Sequence, residues 1–303
     1  MTNASTRVQT PIPTARLQLA DGWRIWAVLK DSQGNDLAGS DWQQIFKDLE
    51  SAEGGMILKS DGHSSVIART IQLGSRKIPL VVKRHRRPPG LRKSLRWLRP
   101  ARAFRTFRTA LLLQRMGIAS EYPLAAGEQR KGLCASQWVY ISTYVEDGRN
   151  LYYFVRDDVR TYGRHEATCR RSLAQQIAEV LAGLHNNGLW HRDAKAGNFL
   201  VRPSQDGRCE VTLVDLDGIK PYSIDRRRSR FRSLVKLAAT LLCHRSVYRS
   251  DYWRTFSIYC DLTGLAACRR RLFRELSSQA IAMRLLTLAT SAMDGRGVFV
   301  ETK

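Results

Sequence analysis

The sequence predicts an α+β fold in two lobes, β-rich up to about residue 145 and mainly helical after it. Three observations carry this expectation. Residues 56–85 hold three alternating apolar segments separated by turn residues. Leu173, Ile177, Val180, Leu181 and Leu184 repeat on one face of a helix. After that helix comes His191-Arg192-Asp193-Ala194-Lys195-Ala196-Gly197-Asn198, and 17 residues beyond Asn198 an apolar run ends in Asp215-Leu216-Asp217-Gly218. Residues 51–145 are expected to form the first lobe, with 1–50 extending it, and 146–303 the second.

In the first lobe, Trp23 to Leu29 reads as a strand, and Asp41 caps a short helix through Leu49. Three strands follow, Met56–Ser60, Ser65–Leu73 and Ile78–His85. Asp61-Gly62-His63-Ser64 and Gly74-Ser75-Arg76-Lys77 are the turns between them. Trp138 to Val145 is a further alternating segment that runs into Glu146-Asp147-Gly148. In the second lobe, Arg171 to Asn187 is the predicted helix and Gly188 its stop. Phe199–Val201 and Cys209–Val214 read as a hairpin around Pro203-Ser204-Gln205-Asp206-Gly207. Phe231 to Leu242 and the basic, amphipathic stretch Arg269 to Leu286 read as helices.

The residue types around Asp193 match one chemistry. An Asp can orient the proton of an attacking hydroxyl, and a Lys two residues on can neutralise charge on a moving phosphoryl group. Asn198 and Asp215 offer hard oxygen ligands for Mg²⁺. This order and spacing are those of the protein-kinase fold. In that frame Asp193 and Lys195 are the catalytic candidates. Lys83, ending Leu80-Val81-Val82-Lys83, would grip the α- and β-phosphates of ATP. Gly62, Ser64 and Ser65 would cover the nucleotide, although the turn lacks a GxGxxG pattern. Thr143 C=O and Val145 N–H would meet adenine at an interlobe hinge.

The chain resembles the bacterial lipopolysaccharide kinase family of Kdo/WaaP-type sugar kinases. The resemblance is carried by Val82-Lys83-Arg84-His85-Arg86, by Arg105 to Ile118 ending Leu113-Gln114-Arg115-Met116-Gly117-Ile118, and by the His191 and Asp215 segments. It covers about residues 56–245. Val214-Asp215-Leu216-Asp217 looks like that family's pattern rather than Asp-Phe-Gly, and no Ala-Pro-Glu-like segment follows. The resemblance implies a bilobal protein-kinase-like fold and transfer of the γ-phosphate of ATP to a sugar hydroxyl, Kdo or heptose, of the lipopolysaccharide inner core or a related glycolipid. One departure concerns Lys83. Between Arg84 and Ser120 there is no Asp or Glu, and Thr106 takes the position where the family comparison expects a helix Glu. Either Glu121 or Glu128 pairs with Lys83 from elsewhere, or phosphate alone holds it. Two rival readings stand beside the sugar kinase: a protein or other small-molecule kinase, and a nucleotide-binding pseudokinase or basic binding module.

The composition sets the partners. The 303 residues carry 50 Lys and Arg against 27 Asp and Glu, a formal net charge of +23. The excess gathers in residues 84–108, where Arg92, Lys93, Arg96 and Arg99 alternate with Leu91, Leu95, Trp97 and Leu98. Such a run can lie on an anionic membrane surface or be a solvated basic face. No base-reading module accompanies it, so nucleic acid is not an expected partner. No stretch approaches the roughly 18 apolar residues of a membrane span, and the first twenty residues do not read as a signal peptide. The expected location is the cytoplasm, with peripheral contact to the inner membrane through the basic run. The six cysteines have no metal-ligand or disulfide spacing and read as scattered thiols. His63, His85, His165, His185 and His244 lack metal-site spacing too.

Overall fold

In the computed structural model, residues 10–19, 22–50, 55–86, 102–131, 134–222 and 225–293 are described. The chain divides into two compact units, 1–146 and 147–303. The α+β expectation holds: the first unit is built on sheet and the second mainly on helix.

Among the described residues of the first unit, seven strands form one antiparallel sheet in the order β1-β2-β6-β7-β5-β4-β3. They are β1 (Thr14–Gln18), β2 (Trp23–Val28), β3 (Met56–Asp61), β4 (Ser64–Leu73), β5 (Arg76–Arg86), β6 (Pro123–Lys131) and β7 (Cys134–Thr143). Helix α1 (Gly39–Glu50) lays Trp42, Ile45 and Phe46 onto this sheet; all three are buried. The Trp42 indole N–H donates to Val28 O, and Phe46 meets Trp23 edge-on at 5.1 Å. The approach is close: a Cβ on Gly127 of β6 would stand 2.9 Å from Ile25 Cγ2. Helix α2 (Arg102–Arg115) buries Ala103, Thr106, Phe107, Ala110 and Leu113, packing against β6 and β7. The edge strand β3 leaves Met56, Ile57 and Leu58 exposed. Of the basic run, residues 87–101, including Arg92, Lys93, Arg96, Trp97 and Arg99, lie outside the described residues.

In the second unit, helix α3 (Glu166–Asn186) buries the predicted face: Leu173, Ile177, Val180, Leu181 and Leu184. It starts five residues before the predicted Arg171, its first turn supported by an ion pair between Glu166 and Arg170 at 2.7 Å. Gly188, at φ 75°, stops it in the left-handed conformation that glycine adopts without strain. Strand β9 (Leu189–His191) follows and pairs with β12 (Ile219–Pro221). Strands β10 (Phe199–Pro203) and β11 (Cys209–Leu213) form the predicted hairpin, and β8 (Arg149–Asn150) joins its free side. Helices α4 (Arg226–Leu241), α5 (Arg249–Leu262) and α6 (Arg269–Met293) complete the unit. Helix α4 begins before the predicted Phe231 because Asp225 caps it, accepting from Arg228 N at 2.8 Å. In α6 the first half is packed through Leu272, Phe273 and Leu276, while Ile281, Leu285 and Leu286 are exposed.

Candidate active site

The candidate residues fall in two groups, one in each unit. In the first unit Lys83 lies near the end of β5, paired with Val66 of β4 and Tyr140 of β7. Strand alternation turns Lys83 away from the face of Leu80 and Val82, both buried. Its Nζ stands 3.4 Å from Glu121 Oε1 and 5.8 Å from the Tyr140 ring centroid. Glu121 is 3 % exposed, and its second oxygen accepts from the Ser142 hydroxyl at 3.2 Å. Burial, then the neighbouring Glu121 charge, pushes the Tyr140 hydroxyl well above its ordinary range and keeps it neutral. Of the two carboxylates considered for Lys83, Glu121 is the one that meets it. Glu128 instead pairs with Arg130 at 2.8 Å. Thr106 spends its hydroxyl on Arg102 O one turn back along α2.

The other first-unit candidates are spread along the sheet. Gly62 sits in the exposed β3–β4 turn, where a Cβ would meet nothing within 4 Å. Ser64 bonds His85 at 3.2 Å, and Ser65 pairs with Arg84 across β4 and β5. Thr143 ends β7, its N–H bonded to Tyr122 O at 3.0 Å. Tyr144 N–H reaches Pro79 O at 3.0 Å, and Val145 follows, half-buried.

In the second unit the loop after β9 is held by its own backbone and by α4. His191 is fully buried, and its Nδ1 accepts from Asp193 N–H at 3.0 Å. That bond puts the ring proton on Nε2. Burial pushes the imidazole down to about 4 despite the Asp215 and Asp193 charges, so His191 stays neutral and acts as a fixed acceptor. Gly218 lies flat against this ring: a Cβ there would stand 2.5 Å from His191 Cε1. A short turn follows, with Lys195 N bonded to Asp193 O at 2.8 Å and Asn198 N to Lys195 O at 2.9 Å.

Asp193 is half-buried and carries two lysines. Lys236 Nζ on α4 stands 2.5 Å from Oδ1, and Lys195 Nζ stands 3.6 Å from Oδ2. Burial raises the Asp193 carboxyl, but the Lys236 hydrogen bond and the two positive charges outweigh it and hold the group below the usual carboxylate range. The Asn198 side-chain N–H₂ donates to Asp193 O at 2.8 Å, which turns the amide oxygen the other way. Val214 N bonds Asn198 O at 2.9 Å and so ties the end of the hairpin to the loop. Asp215 follows in the left-handed conformation at φ 59°. That conformation costs energy for a non-glycine residue and directs the carboxylate out of the strand's alternation.

The structure thus brings Asp193, Lys195 and Asn198 together on one turn and joins Asp215 to it through Val214. Asn198 and Asp215 make a sparse pair of hard oxygen donors. That set suits Mg²⁺, which keeps water and substrate phosphates as its remaining ligands, and suits zinc poorly. Sequence reasoning missed Lys236, Ser233 and Thr240. All three lie on α4, and all three bond the loop: Ser233 Oγ to His191 N and O, and Thr240 Oγ1 to Ala196 N. Their i, i+3, i+7 spacing was the available signal, a polar stripe beside the apolar one.

A sequence profile described as the lipopolysaccharide kinase (Kdo/WaaP) family matches residues 88–259, more than half of the chain. The match takes in Asp193, Lys195, Asn198, Asp215 and Lys236, and begins after Lys83. A solved structure of WaaP in complex with acyl carrier protein shares the fold: the TM-score is 0.51 at 19% identity, over 78% of this chain and 94% of that one. The serine/threonine-protein kinase PKH2 of Saccharomyces cerevisiae is 29% identical over 109 residues, 31% of this chain and 10% of that protein. The putative cyclin-dependent kinase F-2 of Oryza sativa subsp. japonica is 32% identical over 130 residues, 42% of this chain and 37% of that protein. The matches to these two curated relatives therefore span only a tenth and little more than a third of their lengths.

Proposed function

This chain belongs to the lipopolysaccharide kinase (Kdo/WaaP) family, and on that premise we propose that it phosphorylates a sugar hydroxyl, of Kdo or heptose, on the lipopolysaccharide inner core or a related glycolipid, with ATP as donor. The observation that carries the reading is the turn that gathers Asp193, Lys195 and Asn198 and is bonded through Val214 to the segment of Asp215. The acceptor hydroxyl approaches Asp193, which takes its proton as the oxygen bonds to the γ-phosphorus. The bond from that phosphorus to the β–γ bridging oxygen breaks, and ADP leaves. Lys195 neutralises charge on the phosphoryl group in flight. Lys83 grips the α- and β-phosphates, and Glu121 keeps its ammonium aligned. Gly62, Ser64 and Ser65 cover the nucleotide, while Thr143 and Val145 offer backbone groups to adenine. Asn198 and Asp215 would hold Mg²⁺, which when bound neutralises charge on the β- and γ-phosphates. Catalysis of this kind is mostly positioning and electrostatics.

The acceptor lies in a lipid, and residues 84–108 are the segment we assign to an anionic membrane surface, with the protein peripheral on the cytoplasmic side of the inner membrane. No helix among the described residues is long and apolar enough to cross a membrane. WaaP was solved with an acyl carrier protein, and we extend that type of partner to this chain, to be tested by copurification. The test of function is ATP turnover with and without lipopolysaccharide, together with mass spectrometry of the glycolipid core from wild-type and deletion strains. Acceptor-dependent turnover and loss of one phosphoryl group from the core are the expected results. Turnover on protein alone would favour the protein-kinase reading, and nucleotide binding without turnover the pseudokinase.

A further inference from the structure

The four-carbon arm of Lys236 comes from a helix that the kinase motifs do not include. Ser233, Lys236 and Thr240 share one face of α4, and each meets a different part of the loop. Ser233 Oγ accepts from His191 N at 3.2 Å and donates to His191 O at 3.0 Å. Thr240 Oγ1 accepts from Ala196 N at 3.0 Å and donates to Leu237 O. These two fix the backbone on either side of Asp193. Lys236 alone on α4 reaches the carboxylate itself, at 2.5 Å from Oδ1.

We propose that Lys236 is a positioning residue for phosphoryl transfer: it pins Asp193 Oδ1 so that the carboxylate keeps one orientation, with Oδ2 turned to the acceptor hydroxyl. The inference rests on the assignment of Asp193 to that hydroxyl. Lys195 cannot do the same work. Its Nζ is 3.6 Å from Oδ2, beyond hydrogen-bond range, and it comes from the same short turn. It is also the cation assigned to the phosphoryl group. Lys236 is anchored on a helix whose neighbouring turns are bonded to the loop on both sides, so its ammonium is fixed relative to the Asp193 backbone. The pair is 37 % and 35 % exposed, so it adds little to folding. What it supplies is orientation, and a small misplacement of a reacting group can cost about a hundredfold in rate.

The experiment uses the full chain with radiolabelled ATP, Mg²⁺ and delipidated lipopolysaccharide core saccharide as acceptor. Lys236→Met, Lys236→Arg, Asp193→Ala and the double variant Lys236→Met/Asp193→Ala are compared by kcat, by KM for each substrate and by melting temperature. Lys236→Met is expected to lower kcat about ten- to hundredfold with both KM values and the melting temperature nearly unchanged. Lys236→Arg, which keeps a donor at similar reach, should recover most of kcat. In the Asp193→Ala background, Lys236→Met should cost nothing further. Full kcat in Lys236→Met beside an inactive Asp193→Ala would overturn the inference and leave the Asp193 assignment standing. A raised acceptor KM at constant kcat would also overturn it, by placing Lys236 on the acceptor. Loss of kcat only in step with loss of folded protein would reduce Lys236 to a structural contact. Full turnover in Asp193→Ala, or none in the wild type, would remove the underlying assignment itself, and the inference with it.

Discussion

Each of the two units holds a lysine–carboxylate pair among its candidate residues, and the pairs are built in opposite ways. In the first unit the side chains of Lys83 and Glu121 are 17 % and 4 % exposed, and Glu121 takes a further bond from Ser142 beside the buried, neutral Tyr140. In the second unit Asp193 and Lys236 are 35 % and 37 % exposed. Burial decides what each pair is for. A charge withdrawn from water has to be matched by its partner, so the first pair is part of the fold as well as of the proposed phosphate grip. A half-exposed pair is screened and contributes little to folding, so the second pair is free to serve geometry. Glu121 also precedes β6 rather than sitting on a helix. Its hold on Lys83 is tied to the sheet and does not depend on a helix moving in or out.

The largest effect should come from the second unit and leave folding alone. Asp193→Ala is expected to lower kcat by about 10²–10⁴-fold. Asp215→Asn should lower it by about 10²-fold or more, by removing the charge of the proposed Mg²⁺ ligand. Neither should shift the melting temperature much, and Asp193→Ala should leave ATP affinity close to wild type. Turnover, nucleotide binding and thermal melts on one preparation check this. Parallel loss of binding, turnover and melting temperature would make Asp193 a structural residue and erase the contrast between the units.

Glu121→Ala should do the reverse and strike folding first. It removes the buried carboxylate that Lys83 meets, and breaking a buried pair costs about 3–5 kcal/mol. The partial exposure of Lys83 puts the expectation at the lower end. Denaturant unfolding should therefore show a clear loss of stability, accompanied by weaker ATP binding. Glu121→Gln, which keeps an acceptor without the charge, should fall between. An unchanged unfolding midpoint in Glu121→Ala would show that water and phosphate can stand in for the carboxylate.

The same contrast explains what was legible in the sequence. The turn that gathers Asp193, Lys195 and Asn198 was readable because the three lie within six consecutive positions, and local spacing carries their arrangement. Helix α3 and the β10–β11 hairpin were readable from periodicity. The partner of Lys83 was narrowed to two carboxylates because the intervening stretch has none. Which of them pairs depends on sheet register, and Glu121 lies 38 positions from Lys83. The α4 stripe was not read at all. Ser233 and Thr240 act on groups 42 and 44 positions away, and the apolar residues alone are enough to predict the helix. Contacts that close only in the folded chain leave no local pattern beyond a polar residue repeated on one face.

Acid should expose a further difference, centred in the second unit. His185 is fully buried, with Nδ1 2.8 Å from the Tyr259 hydroxyl, and burial followed by the Arg230 charge pushes it down from 6.5 to about 3. The folded state therefore keeps His185 neutral where the unfolded chain would protonate it. The unfolded state binds more protons between those two values, so stability is full above about pH 6.5 and falls as pH drops toward 3. One such group accounts for about 2 kcal/mol between pH 7 and pH 5. His185→Gln should flatten this part of the profile in denaturant melts. An equally steep profile in that variant would assign the acid sensitivity to other groups.

The smallest expected effect on folding concerns glycine, and it separates the units once more. Gly218 in the second unit has no room for a side chain, because a Cβ would fall on the buried His191 ring that receives Asp193 N–H. Gly62 in the first unit has open space around it and does not use a left-handed backbone. Gly62→Ala should thus change stability by no more than about 0.5 kcal/mol. Its assigned role is different in kind. If the β3–β4 turn covers the nucleotide, a methyl group there sits where phosphate must come close, and KM for ATP should rise several-fold while kcat and the melting temperature hold. Equal KM values for Gly62→Ala and wild type would remove Gly62 from the nucleotide site. The grip on ATP would then rest on the Lys83–Glu121 pair and on the backbone groups of Thr143 and Val145.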